Sequence, residues 1–209
     1  MGRIINIAGK PLNCLKMPRV TSRGELSNRF VIPGYYWPDG NMPCMLTNGP
    51  RTLGLSTVRN IIIEAVGEYS HWSYLNFYEV FVREQARINF MWCGNGGHGD
   101  FWPYDGMNPT AGHTMYPSPY SELWGLPAWM SGDVHFNDAW TFTVSGAYTW
   151  GSIPMRWAAL HEIGHALGLG HSEYDSAVMY GYAVTNPPIH LTYDDIRGIQ
   201  AIYGTKVPI

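Results

Sequence analysis

The chain reads as an α+β domain of two unequal lobes about a cleft, with a histidine-bearing helix at its centre. Three observations lead there. Apolar residues recur at helical spacing over residues 56–72, short apolar runs bounded by glycine and proline follow, and a second helical stretch carries His161 and His165 four residues apart. The 24 glycines and 15 prolines exclude an all-helical bundle, and the 14 tyrosines and 9 tryptophans supply large anchors for a loop-rich core.

Taken in order, residues 1–29 show no periodicity and carry much of the early basic charge, so they are expected to be a tail or the remnant of a propeptide. Residues 41–48 form a first strand. Over 56–72, Val58, Ile61, Ile62, Ala65, Tyr69 and Trp72 make one apolar stripe, with Ser56 or Thr57 expected to cap it. Residues 74–82 and 86–92 are short strands, 93–112 a glycine-rich loop, and 113–116 and 133–136 further extended pieces. A helix is expected over 154–168, where Pro154 suits the first turn. Residues 172–191 are irregular, and a last helix runs from 192 to 203, stopped by Gly204.

The 209 residues, 45% hydrophobic, suffice for one domain with a sizeable core. A net charge of −3 and the lack of a basic patch argue against a nucleic-acid partner. No apolar run is long enough to span a membrane. Residues 1–11 also lack the apolar stretch of a secretory leader, so the chain is expected to begin inside a longer precursor. The three cysteines, Cys14, Cys44 and Cys93, are an odd number; a Cys44–Cys93 disulfide is one expectation.

The most informative run is His161-Glu162-Ile163-Gly164-His165, continued by Gly168 and His171. On a helix His161 and His165 share a face and can grip one Zn²⁺, with Glu162 beside them as general base. Gly168 and Gly170 let the chain turn back and bring His171 in as a third ligand. A fourth position remains for water, as catalysis requires.

Several motifs together resemble the matrix metalloproteinases, the matrixin branch of the metzincins. They are Phe30-Val31 with Trp37-Pro38, His98-Gly99-Asp100, Tyr104-Asp105-Gly106, Asp133-Val134-His135-Phe136, the zinc run, Val178-Met179-Tyr180, and the segment from Asp194 to Gln200. The resemblance covers about residues 30–204. It implies a metzincin zincin fold: a twisted, mostly parallel five-stranded sheet, three helices and a small C-terminal lobe. Residues 30–209 would be the catalytic domain, with an upper lobe to about 170 and a lower lobe from 171. It implies a secreted, extracellular zinc endopeptidase acting on extended polypeptides, monomeric and open to protein inhibitors.

Residue by residue, the resemblance implies a structural zinc on His98, Asp100, His113 and His135, and a methionine turn at Met179 beneath the catalytic metal. A weak calcium site would use Asp105, Gly106, Asn108, Thr110 and Asn137. It is weakened because Asn137 is neutral and Trp140 stands where an acid is usual. At a second calcium position the chain has Arg87, expected to pair with Asp133 in place of the ion. Trp157, Tyr180 and Tyr182 would line the specificity pocket. Cys14 in the tail would be a latency switch on the zinc. Cleavage after Arg29 would free the Phe30 ammonium to pair with Asp195, while Asp194 braces the methionine turn. Two other readings are a metal-stabilised binding module, against which the intact Glu162 argues, and another metzincin subclass.

Overall fold

The computed structural model describes residues 30–94, 110–123 and 125–209. The chain runs β1 (Asn41–Leu46), α1 (Leu55–Trp72), β2 (Asn76–Glu79), a 3₁₀ turn (Arg83–Gln85), β3 (Ile88–Cys93), β4 (Gly112–Thr114), the one-turn α2 (Tyr120–Leu123) and a 3₁₀ turn (Ala128–Met130). It continues through β5 (Asp133–Asn137), β6 (Thr141–Thr143), β7 (Ser152–Pro154), α3 (Met155–Ala166) and α4 (Tyr193–Tyr203).

Five strands form one sheet in the order β2-β1-β3-β5-β4, and β4 alone runs antiparallel to its neighbour. The architecture is thus the α+β, mostly parallel sheet expected, with three long helices and the short α2 in addition. A separate parallel pair, β6 with β7, was not foreseen, because three-residue strands carry too little alternation to read.

Helix α1 buries the predicted stripe, Val58, Ile61, Ile62, Ala65 and Tyr69, in the main core. Its cap differs from expectation. Gly54 is the N-cap and no side chain closes the first turn, so neither Ser56 nor Thr57 serves. Phe90 of β3 and Val134 and Phe136 of β5 share this core. Full burial of such side chains contributes roughly 1.5–3 kcal/mol each. Cys44 and Cys93 are not bridged to each other. They cannot bridge in this register. Cys44 lies opposite Ile88 and Cys93 is five residues further along β3, roughly 16 Å at strand rise.

Helix α3 is buried at nearly every position, since it lies between the sheet and the lower lobe. The Tyr69 hydroxyl donates to the Leu160 carbonyl at 2.8 Å and joins α1 to it. Gly164 is required by contact. A Cβ there would stand 2.3 Å from the Met179 sulfur and 2.9 Å from the Tyr69 hydroxyl.

The lower lobe is fastened by two buried carboxylates at the start of α4. Asp195 accepts the backbone N–H of Val178 at 2.9 Å and of Met179 at 3.0 Å, and both the N–H and the hydroxyl of Thr192. Asp194 accepts the Ser172 hydroxyl at 2.6 Å, and Ser172 donates its N–H to the Met179 carbonyl. Both aspartates therefore serve the turn. The expected pairing of Asp195 with Phe30 requires the free ammonium that cleavage after Arg29 would create, and here Phe30 lies within the chain. Phe30 packs on Gly198. Replacing Asp195 by Ala leaves three backbone N–H groups without their acceptor. It should destabilise the fold by about 3 kcal/mol or more, measured by denaturant unfolding.

Candidate metal centre and active site

Helix α3 sets His161 and His165 one turn apart, and the chain then leaves it through Leu167 to Gly170. Gly168 sits at φ +102°, a backbone that side chains resist, and this turn carries His171 back over the helix. The three Nε2 atoms meet in a triangle. His161 to His165 is 3.2 Å, His161 to His171 is 3.2 Å, and His165 to His171 is 3.1 Å.

The other ring nitrogens show what this triangle is for. His161 Nδ1 lies 2.7 Å from the Val178 carbonyl, and His165 Nδ1 lies 2.7 Å from the Leu169 carbonyl. A carbonyl only accepts, so each Nδ1 carries the proton and each Nε2 presents a lone pair. Lone pairs converging in a buried site repel unless a cation lies between them. A tetrahedral zinc with nitrogen ligands at its usual distance spaces them about 3.3 Å apart. The donor set fits zinc in chemistry, spacing and orientation.

The electrostatics agree. Burial lowers His161 to a pKa of about 4. Burial and the neighbouring His161 lower His165 to about 3, and burial also holds His171 well below its ordinary value. All three stay neutral, as metal ligands must.

Glu162, 2% exposed, lies against β4. The Thr114 hydroxyl donates to its Oε2 at 2.6 Å. Its Oε1 lies beside Gly112, where a Cβ would come within 3.0 Å of it. Burial raises the carboxyl to about 7, against the lowering effect of the Thr114 hydrogen bond. Thr114 was not anticipated from sequence. It directly follows His113, and only the register of β4 beside α3 brings it to Glu162.

Of the four expected structural-zinc ligands, His113 and His135 are cross-strand partners on β4 and β5, both buried, with ring nitrogens 3.1 Å apart. His98 and Asp100 lie outside the described residues, as do Asp105, Gly106, Asn108 and Cys14. Of the calcium set, Thr110 and Asn137 are bonded to each other. The Asn137 amide donates to the Thr110 carbonyl at 3.0 Å, and its oxygen accepts the Ala139 N–H.

The expected Arg87–Asp133 pair is not formed. Arg83 takes Asp133, because the 3₁₀ turn folds it back over Trp129, and Arg87 faces Asp39 and the Asn41 carbonyl. Met179 is buried beneath Gly164. The Trp157 ring is buried with its centroid 6.0 Å from His161, while Tyr180 and Tyr182 contact each other at 5.3 Å on the segment beyond the methionine turn. A hollow of about 150 Å³ lies between α1 and strands β1 and β2, and it shares no residue with this site.

The sequence profile of the matrixin family matches residues 36–204. This chain belongs to the matrixin family. Karilysin of Tannerella forsythia is 31% identical over 188 residues, covering 89% of this chain and 37% of that protein. Stromelysin-3 of Rattus norvegicus is 31% identical over 202 residues, covering 94% and 38%. Matrix metalloproteinase-20 of Homo sapiens is 32% identical over 201 residues, covering 93% and 38%. The chain thus spans somewhat over a third of the length of these relatives. The histidine triad, with Glu162 beside it, is a group that fits a zinc ion within the part of the chain that matches this family. Among the described residues no helix is long and apolar enough to cross a membrane.

The raised Glu162 carboxyl has a consequence in the metal-free protein. The unfolded chain ionises near 4.5 and the folded one near 7, so the fold loses stability as pH rises between them. Glu162→Gln removes that penalty. The chelator-stripped variant should exceed wild type by up to about 3 kcal/mol at pH 8, the gap closing near pH 4.5, in parallel denaturant titrations.

Proposed function

We propose that this domain hydrolyses internal peptide bonds of extended polypeptides, and that its natural setting is extracellular. The observation that carries the reading is a triangle of three Nε2 atoms, those of His161 and His165 left without protons by their Nδ1 hydrogen bonds, next to the buried Glu162.

Zinc held by His161, His165 and His171 supplies a Lewis acid that polarises the scissile carbonyl and acidifies the attacking water. The chain's own groups do the rest. Thr114 occupies Oε2 of Glu162, leaving Oε1 to take the proton of the water. A carboxyl poised near neutrality suits both halves of the task, receiving that proton and returning it to the leaving amine. Strand β4 ends the sheet next to Glu162, where an extended substrate can add as a further strand. No Ser or Cys nucleophile is needed.

A second, structural zinc is part of the proposal. The His113–His135 pair supports it, and His98 and Asp100 would complete a closed four-ligand site. A weak calcium at Asp105, Gly106, Asn108, Thr110 and Asn137 is a further part of the proposal, and the neighbouring Thr110 carbonyl and Asn137 would take part in it. Residues 1–29 as a prosegment with Cys14 as zinc blocker, monomeric action, and control by protein inhibitors follow from family membership alone.

Quenched peptide hydrolysis with metal analysis tests the reading. Wild type should cleave and lose cleavage to a chelator. Glu162→Gln should keep its zinc yet lose at least about 10³-fold in kcat/KM. Cleavage by the Gln variant at the wild-type rate would remove Glu162 from the mechanism.

Trp157 fills the space behind His161 and contacts Tyr148, which supports a pocket with a closed floor. Wild type should prefer small or medium apolar side chains after the cut, and Trp157→Ala should shift a peptide-library profile toward long ones. A wild-type preference for long side chains would remove the closed floor.

A further inference from the structure

We propose that residues 31–37 form a clasp that positions the second and third zinc ligands, with Trp37 and Tyr203 as its positioning residues; this rests on the zinc-site reading above. The last carbonyls of any helix lack partners within it. At the end of α3 the following turn meets the carbonyls of Ile163, Gly164 and His165, and those of Ala166 and Leu167 are met from elsewhere in the chain. The Trp37 indole N–H donates to the Ala166 carbonyl at 2.9 Å. The Tyr203 hydroxyl donates to the Leu167 carbonyl at 2.8 Å and itself accepts the Trp37 backbone N–H at 3.2 Å.

The same segment shapes the turn that follows. Gly170 donates its N–H to the Val31 carbonyl at 2.6 Å. A Cβ on Gly168 would lie 2.2 Å from the Tyr35 carbonyl oxygen, and one on Gly170 would meet the Val31 side chain at 3.0 Å. The clasp thus lies in contact along the five-residue path from His165 to His171. That path matters to both ligands. It delivers His171, and its Leu169 carbonyl fixes the ring of His165 through Nδ1. Trp37 is itself fixed from behind, with the Arg87 guanidinium 5.3 Å over its ring and the Arg87–Asp39 ion pair beyond.

Groups that orient metal ligands without touching the metal commonly change affinity by 10–100-fold when removed.

The test uses the full chain and reads zinc affinity by competition with a chromogenic chelator. The visible spectrum of the Co²⁺-substituted protein serves as a second readout. Trp37→Phe and Tyr203→Phe keep their rings and remove one donor each. Ser73→Ala, which loses a buried hydrogen bond to the Tyr69 carbonyl within α1, is the control for ordinary destabilisation. Each clasp variant should weaken zinc binding about tenfold and alter the Co²⁺ spectrum, while Ser73→Ala lowers only the unfolding midpoint. Clasp variants that melt earlier but bind zinc like wild type would overturn the proposal. A wild-type chain that binds no zinc would instead overturn the zinc site, and the clasp with it.

Discussion

Everything in this domain answers to one constraint: three imidazole nitrogens must be held together at 3.1–3.2 Å, with the lone pairs of His161 and His165 turned to a common point. Without a cation that cluster is repulsive, and no local preference of the chain would form it. The surrounding structure has to impose it. Two rings are fixed by carbonyl acceptors at Val178 and Leu169, each on a different segment. The burial that keeps the rings neutral also removes water that would otherwise compete for them.

The supporting framework reaches the site from three directions. From above, α1 sends the Tyr69 hydroxyl to α3, and the absence of a Gly164 side chain lets Met179 approach. From below, Asp195 gathers the N–H groups of Val178 and Met179, so that the carbonyl of Val178 faces His161. From the start of the domain, residues 31–37 lie over the helix exit. These supports span most of the chain, which is why the site cannot be separated from the fold.

Glu162 shows how burial and hydrogen bonding divide the work. Burial alone would keep the carboxyl protonated, whereas the Thr114 hydroxyl favours its charged form. The result is a group near neutrality in a position where a proton must be both accepted and given back. Elsewhere the chain secures loops with its own side chains. Asn137 bonds Thr110, and Arg83 bridges Asp133 and Trp129.

The sequence alone determined the metal chemistry, because helical spacing puts His161 and His165 on one face and the two glycines allow one return path for His171. It also determined α1 and α4, whose stripes repeat for several turns. The family motifs added the mostly parallel sheet. What only the tertiary structure decided were contacts between segments remote in sequence. Trp37 was visible as part of a motif, but its bond to Ala166 crosses 129 residues. Thr114 reaches Glu162 across 48. The partners of Arg83 and Arg87 depended on which way a 3₁₀ turn points, and the gap between Cys44 and Cys93 on strand register. Periodicity reports which face of an element is apolar; it does not say which remote group will stand against it, since packing and hydrogen-bond completion choose that partner only once the chain has closed.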